Sequence, residues 1–290
     1  MTRRDDPAPA HPLVEAGEVT VVPGVYDSLS ARLAERAGFP AVVLTGYGVA
    51  ATLLGEPDLG LLTQSELLEV ARRVCAATDL AVIVDGDTGH GGPLNVQHLV
   101  RALAQIGAFG VILEDQTWPK RCGHMRDKSV VDAGEHAAKI RAAVDARGND
   151  HLTITARTDA LATHGLDEAL RRAHLYKDAG ADVLFVEGPR TVEDLRIIGD
   201  RLPPPLAVNL IEGGRTPLCS LEELREMGFF SVGFVLSGLY AATRALDRTY
   251  RHLRRYAETD SVAGEMADFD EMAEILGVEE RLATDERNRA

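Results

Sequence analysis

The chain is short of several things, and each shortage argues against a class of protein. Its 290 residues include only three cysteines, Cys75, Cys122 and Cys219. The number is odd, the spacings are wide and no CxxC occurs, so neither a disulfide framework nor a zinc knuckle fits. Basic residues are outnumbered: 31 Lys and Arg face 45 Asp and Glu, a formal net charge of -14. That sign argues against a nucleic-acid partner and against an anionic membrane surface. No apolar run approaches the length of a membrane span. No GxGxxG joins a strand to a helix, which lowers the case for an open dinucleotide-binding sheet. Residues 1–12 are charged and proline-rich with no apolar centre, so a disordered arm is expected there rather than a signal peptide. Together these shortages predict a cytoplasmic protein with reduced thiols.

What is present is a repeat of strand, loop and helix. Eight short apolar runs fall at 19–23, 41–45, 80–84, 110–113, 152–156, 182–186, 205–208 and 230–236. Amphipathic helices are expected between them, over 27–37, 65–76, 95–106, 135–146, 166–179, 192–201 and 221–227. Gly38, Gly107, Gly180 and Gly228 stand where several of these should end. Near-continuous apolar strands alternating with helices imply a parallel sheet covered on its outer face. Eight such units over 13–240 predict an α/β chain folded as a closed (β/α)8 TIM-type barrel. The remainder, 241–290, is surplus to a barrel. It offers a long helix over about 239–257 and an acidic helical stretch over 269–282, read as an oligomerisation element.

The chemistry-bearing residues follow the strands. The third ends in Asp85-Gly86-Asp87, the fourth in Glu114-Asp115-Gln116, the fifth in Arg157-Thr158-Asp159, the sixth in Glu187, the seventh in Asn209 and the second in Thr45-Gly46-Tyr47. In a barrel these ends converge on one mouth. Asp85 and Asp87, two apart on extended backbone, share a face. With Glu114 they make a set of hard oxygens whose repulsion calls for a cation, Mg²⁺ or else Mn²⁺. Arg157 can grip a substrate carboxylate through two hydrogen bonds. The longest connection, 115–133, carries Lys120-Arg121-Cys122-Gly123-His124 and reads as a lid over the mouth. Two cations before Cys122 and a histidine after it are expected to favour the thiolate. Cys75 and Cys219 read as packing, and Trp118, the one tryptophan, as a hinge anchor.

These residues, in this order and over about Val22 to Ala245, resemble the isocitrate lyase/phosphoenolpyruvate mutase superfamily. The lid motif is similar to its lyase branch, since the phosphonomutases usually carry asparagine in place of Cys122. The resemblance implies Mg²⁺ held by Asp85, Asp87 and Glu114, largely through water. It places Thr45, Gly46, Tyr47 and Asp58 against the substrate, with Arg157, Glu187, Asn209 and Gly123 completing the pocket. Cys122, Lys120, His124 and Arg157 form the expected catalytic set. It also implies C-terminal helices swapped between barrels, as a dimer of dimers, a homotetramer. Two positions depart from the pattern. Val43 stands where 2-methylisocitrate lyases carry tyrosine. Val235 stands where oxaloacetate hydrolases carry serine, and a valine would line an alkyl pocket instead.

The implied activity is a Mg²⁺-dependent cleavage of a carbon–carbon bond in a 2-hydroxy di- or tricarboxylate, of the 2-alkylmalate or 2-methylisocitrate type. The products would be an α-keto acid and a carboxylic acid. The alternatives are an oxaloacetate acetylhydrolase and a carboxyphosphoenolpyruvate-type phosphonomutase. A barrel that only binds or assembles is a reading of another class, disfavoured by the complete lid and acid set.

Overall fold

The computed structural model describes residues 18–289. The arm expected over 1–12, and the first residues of the 13–240 span, lie outside them. Strand β1 (Thr20–Val25) leads to α1 (Ser28–Arg36), β2 (Ala41–Leu44) and a short α2 (Gly46–Val49) that runs into a π-helical turn (Ala50–Leu54). Next come α3 (Gln64–Cys75), β3 (Ala81–Asp85), α4 (Pro93–Gln105), β4 (Gly110–Glu114) and α5 (Ala133–Arg147). They are followed by β5 (Thr153–Thr158), α6 (Ala160–His164), α7 (Leu166–Asp178), β6 (Val183–Val186) and α8 (Val192–Arg201). The barrel ends with β7 (Leu206–Asn209), α9 (Leu221–Glu226) and β8 (Phe229–Phe234). After it run α10 (Ser237–Tyr256), a 3-10 turn (Asp260–Glu265), α11 (Phe269–Leu276) and α12 (Val278–Arg289). The strands pair in sequence order, all parallel, and β8 closes on β1.

The expected strands and long helices are all present at nearly the expected bounds. Two short helices at the mouth, α2 and α6, were not expected; each is too short to show a helical period in sequence. The acidic stretch over 269–282 is two helices, not one, because Gly277 takes a left-handed backbone (φ 68) and ends α11. The same device operates at Gly38, Gly107, Gly180 and Gly228, all at positive φ just past a helix.

Alternation along each strand divides the core in two. Val42, Leu44, Val82, Val84, Ile154, Ala156, Leu184 and Val186 belong to the layer between barrel and helices. Ala41 and Val43 turn inward, with Ile83 and Ile112 packed beside them. This parity fixes the mouth. One more inward step from Val43, Ile83, Ile112, Thr155, Phe185, Ala207 and Gly233 gives Thr45, Asp85, Glu114, Arg157, Glu187, Asn209 and Val235. The polar strand ends therefore form the top layer of the barrel interior. Among the described residues no helix is long and apolar enough to cross a membrane.

One buried carboxylate ties the upper ends of β4 and β5 to the helix layer. Asp115 is fully buried. It accepts hydrogen bonds from the Thr158 hydroxyl (2.7 Å), the Asp159 amide (2.8 Å), the Tyr176 hydroxyl (2.8 Å) and Arg172 (3.1 Å). A charge without water needs such partners. Tyr176→Phe removes one donor and should lower stability by about 1.5–3 kcal/mol, the usual worth of a hydrogen bond to a charged group, read from the urea midpoint.

Candidate active site

The mouth holds a small cavity, and every residue expected in the site lines it except Gly46 and Asp87. Those two lie immediately behind the wall. The Gly46 amide donates to Asp85 Oδ2 at 3.2 Å, and a side chain on Gly46 would come within 3.1 Å of both Asp85 Oδ2 and Asp87 Oδ1. Two lining residues were not expected, Ile211 and Leu236. They continue β7 and β8 past their ends and, with Val235, make one side of the cavity apolar.

Carboxylates outnumber cations here. Arg157 Nη2 lies 3.1 Å from Glu114 Oε2, and its Nε lies 2.9 Å from Asp159 Oδ2 and 3.6 Å from Glu187 Oε2. The Glu114 contact follows from register, since Glu114 and Arg157 are partners across β4 and β5. Lys120 Nζ bridges Asp58 (2.5 Å) and Asp87 (2.6 Å) and is almost fully buried. Burial draws the lysine down, yet Asp87, Asp58, Glu114 and Asp85 together hold it above its ordinary range. Burial pushes Asp87 up to about 7, assisted by Asp85 and Asp58 against the pull of Lys120. Burial likewise raises Glu114 well above the usual carboxylate range.

The expected trio of metal ligands is thus not gathered as a bare cluster. Among the described residues no group of three or more His, Cys, Asp or Glu is arranged to hold a metal ion. The physical reason is the lid, which sends the Lys120 ammonium in among the acids. The donor chemistry still suits a hard divalent cation. Asp87 Oδ2 and Glu114 Oε1 are buried with no hydrogen-bond partner, and Asp85 stands on the same wall.

The lid covers the cavity. Its neck is a two-strand clasp, with Gln116 bridged to Val130 and the Thr117 amide donating to Ser129. The Cys122 amide donates to the Asp58 carbonyl at 3.1 Å. His124 Nδ1 accepts from the Arg215 amide at 2.9 Å, leaving Nε2 to face Glu187 Oε1 at 3.1 Å. The expected thiolate is corrected. Burial pushes the Cys122 thiol up to about 11, with Asp58 and Glu187 adding and the His124 amide and Arg157 only partly offsetting. The cations preceding it in sequence do not serve it: Lys120 turns to Asp58 and Asp87, and Arg121 turns out toward Asp127. The surroundings of Cys122 therefore favour the neutral thiol near pH 7. Trp118, expected as an anchor, packs on His90 (5.4 Å between rings) outside the cavity and is 47% exposed.

Sequence reasoning passed over Lys128. It is buried inside the lid's neck, with Nζ 2.5 Å from both the Gly123 carbonyl and Asp159 Oδ1. No spacing rule marks it, because its acidic partner lies 31 residues on. It also passed over Tyr240 of α10, whose hydroxyl titration is raised by burial first and then by the ionisable Tyr47, Cys122 and Glu212 near it. Gly123 is required by close approach: a Cβ there would sit 2.4 Å from Arg157 Nη2 and 2.5 Å from Glu187 Oε1. Gly123→Ala should prevent the lid from seating, with turnover falling ~100-fold or more while thermal stability stays near wild type. Steady-state kinetics beside a melting curve checks both parts.

Comparison with known proteins agrees with this geometry. The family described as phosphoenolpyruvate phosphomutase matches residues 10–254. The petal death protein of Dianthus caryophyllus is 49% identical over 270 residues, covering 93% of this chain and 85% of its own. The 2,3-dimethylmalate lyase of Eubacterium barkeri is 40% identical over 267 residues, covering 92% of each. A solved oxaloacetate acetylhydrolase, in complex with 3,3-difluorooxalacetate, superposes with TM-score 0.91 at 34% identity, covering 96% of this chain and 95% of that one. On the family match, the identities and the shared fold, the chain belongs to the isocitrate lyase/phosphoenolpyruvate mutase superfamily, in its carbon–carbon lyase branch.

Proposed function

We propose that the chain breaks the C2–C3 bond of a small dicarboxylate bearing oxygen at C2, and that Cys122 protonates the carbon left behind. The carrying observation is the thiol, held protonated by its surroundings under a closed lid, within the electrostatic reach of Arg157. Arg157 supplies the fork that receives a substrate carboxylate, and Thr45, Tyr47, Asn209 and Glu187 offer polar atoms around the rest. Asp85, Asp87 and Glu114 would hold a divalent cation, Mg²⁺ or Mn²⁺, which when bound polarises the C2 oxygen and offsets the charge of the acids.

The residues then have separate tasks. The C2 hydroxyl proton passes to a rim carboxylate, and the oxygen's electron pair forms the C2 carbonyl as the C2–C3 pair withdraws onto C3. That pair spreads into the adjoining carboxylate. Arg157 faces the developing charge. The Cys122 S–H gives its proton to C3, releasing a 2-oxo acid and a carboxylic acid. The closed lid keeps bulk water from reaching the carbanion first.

Two substrates fit this sequence of events. A 2-alkylmalate is favoured by the apolar side formed by Val235, Ile211 and Leu236, none of which can hydrogen-bond a second C2 hydroxyl. Hydrated oxaloacetate presents the same C2 hydroxyl and would yield oxalate and acetate. The similarity to an oxaloacetate acetylhydrolase supports this alternative better than it supports the alkylmalate reading placed first from sequence. An NMR assay of oxaloacetate, 2-alkylmalates, 2-methylisocitrate and phosphonopyruvate, with and without Mg²⁺, decides among them. Turnover of one dicarboxylate is expected, lost on chelation. Cys122→Ser should lower it by about 10²–10⁴-fold, the range for a lost acid–base group, and unchanged turnover would remove the thiol from the reaction.

The C-terminal helices point to self-association. Leu246, Tyr250, Leu253 and Tyr256 on α10, and Phe269 on α11, are exposed, Phe269 at 88%. Such a face is normally covered. We propose that it packs on neighbouring copies by exchange of these helices, in a homotetramer. Light scattering should give four times the chain mass, and Phe269→Asp should lower it; a monomer in the parent protein would refute the exchange.

A further inference from the structure

The rim gives one guanidinium three carboxylates to satisfy. Arg157 is shared among Glu114, Asp159 and Glu187. An arginine held on all sides by protein acids has little left to offer a substrate anion. The lid changes that balance, because it brings a partner of its own to two of the three. His124 arrives at Glu187, 3.1 Å away. Lys128 arrives at Asp159, and its side chain is 1% exposed beside a carboxylate at 0%.

Lys128 also donates to the carbonyl of Gly123, the residue after Cys122. One ammonium thus joins the thiol-bearing segment of the lid to the acid that grips Arg157 through both Nε and Nη2. Raising that segment breaks the bond from Lys128 to the Gly123 carbonyl, and lifting Lys128 with it withdraws a buried ammonium from a buried carboxylate. Breaking such a pair leaves a charge without a partner, which is strongly unfavourable.

We propose that Lys128 is a positioning residue: a latch that pins the Cys122–Gly123 segment over the cavity and shares with Arg157 the charge of Asp159, so that the guanidinium does not face that acid alone. Lys128 never touches the reacting atoms. The inference rests on 115–133 serving as a lid over the substrate cavity, and it is indifferent to which dicarboxylate is cleaved.

The test reads the lid directly. Arg121 and Arg126, both exposed in the lid, are sites for trypsin. Cleavage after them in the full-length protein, followed by mass spectrometry, tracks the open population. Lys128→Met should speed that cleavage at least ~10-fold, and Lys128→Arg, which keeps the charge, should restore most of the protection. Asp159→Asn, which removes the negative charge and leaves Lys128 in place, should likewise expose the lid, giving a second route if the methionine variant folds poorly. With a substrate that is turned over, Lys128→Met should raise KM as well as lower kcat, because the full charge of Asp159 then falls on Arg157 alone. Cleavage of Lys128→Met no faster than wild type, in a protein with an unchanged melting curve, would overturn the latch. Protection that depends on Lys128 in a chain that cleaves none of the proposed dicarboxylates would leave the latch standing and sink the substrate reading instead.

Discussion

The organisation of the mouth follows from one electrostatic constraint: more carboxylates are buried there than cations. Asp58, Asp85, Asp87, Glu114, Asp159 and Glu187 meet Lys120, Lys128 and Arg157. Removing charge from water is costly, and like charges at close range disfavour each other's ionisation. The upward displacement of Asp87 to about 7 and of Glu114 beyond the carboxylate range expresses that strain, with burial as its largest cause. A protein keeps such a surplus where something positive is to be received. The proposed divalent cation at Asp85, Asp87 and Glu114 would meet that need.

The lid is the second half of the same balance. Lys120 and Lys128 both come from it and both end in ion pairs with body residues, while His124 meets Glu187. Closing therefore does three things at once. It would compensate the rim acids, shut out water and, on the proposed mechanism, deliver a protonated thiol. The same burial that holds Cys122 at about 11 is what suits it to giving a proton rather than attacking as a nucleophile. The lid is anchored at its neck by the Gln116–Val130 bridge and beneath by Asp115, whose backbone carbonyl accepts from the Val131 amide while its side chain binds Thr158, Arg172 and Tyr176.

Much of this could be read before any coordinates. Eight apolar runs with amphipathic stretches between them specify a closed parallel barrel, because the period of each segment is local and repeated. Polar residues at successive strand ends then had to converge, and Thr45, Asp85, Glu114, Arg157, Glu187 and Asn209 do. The charge environment of Cys122 was not legible. Adjacency in sequence placed two cations beside the thiol, but an irregular loop sends neighbouring side chains in opposite directions, and Lys120 and Arg121 diverge accordingly.

The sequence by itself determined the barrel, the inward parity of its strands and the identity of the rim, since these depend on periodicity and on the order of segments. The tertiary structure alone decided which acid meets which base. Lys128 pairs with Asp159, Lys120 with Asp58 and Asp87, and Tyr176 with Asp115, across separations that no local pattern encodes. It also decided the protonation of Cys122, because a pKa is set by burial and by through-space charge, and both exist only once the chain has closed over the cavity.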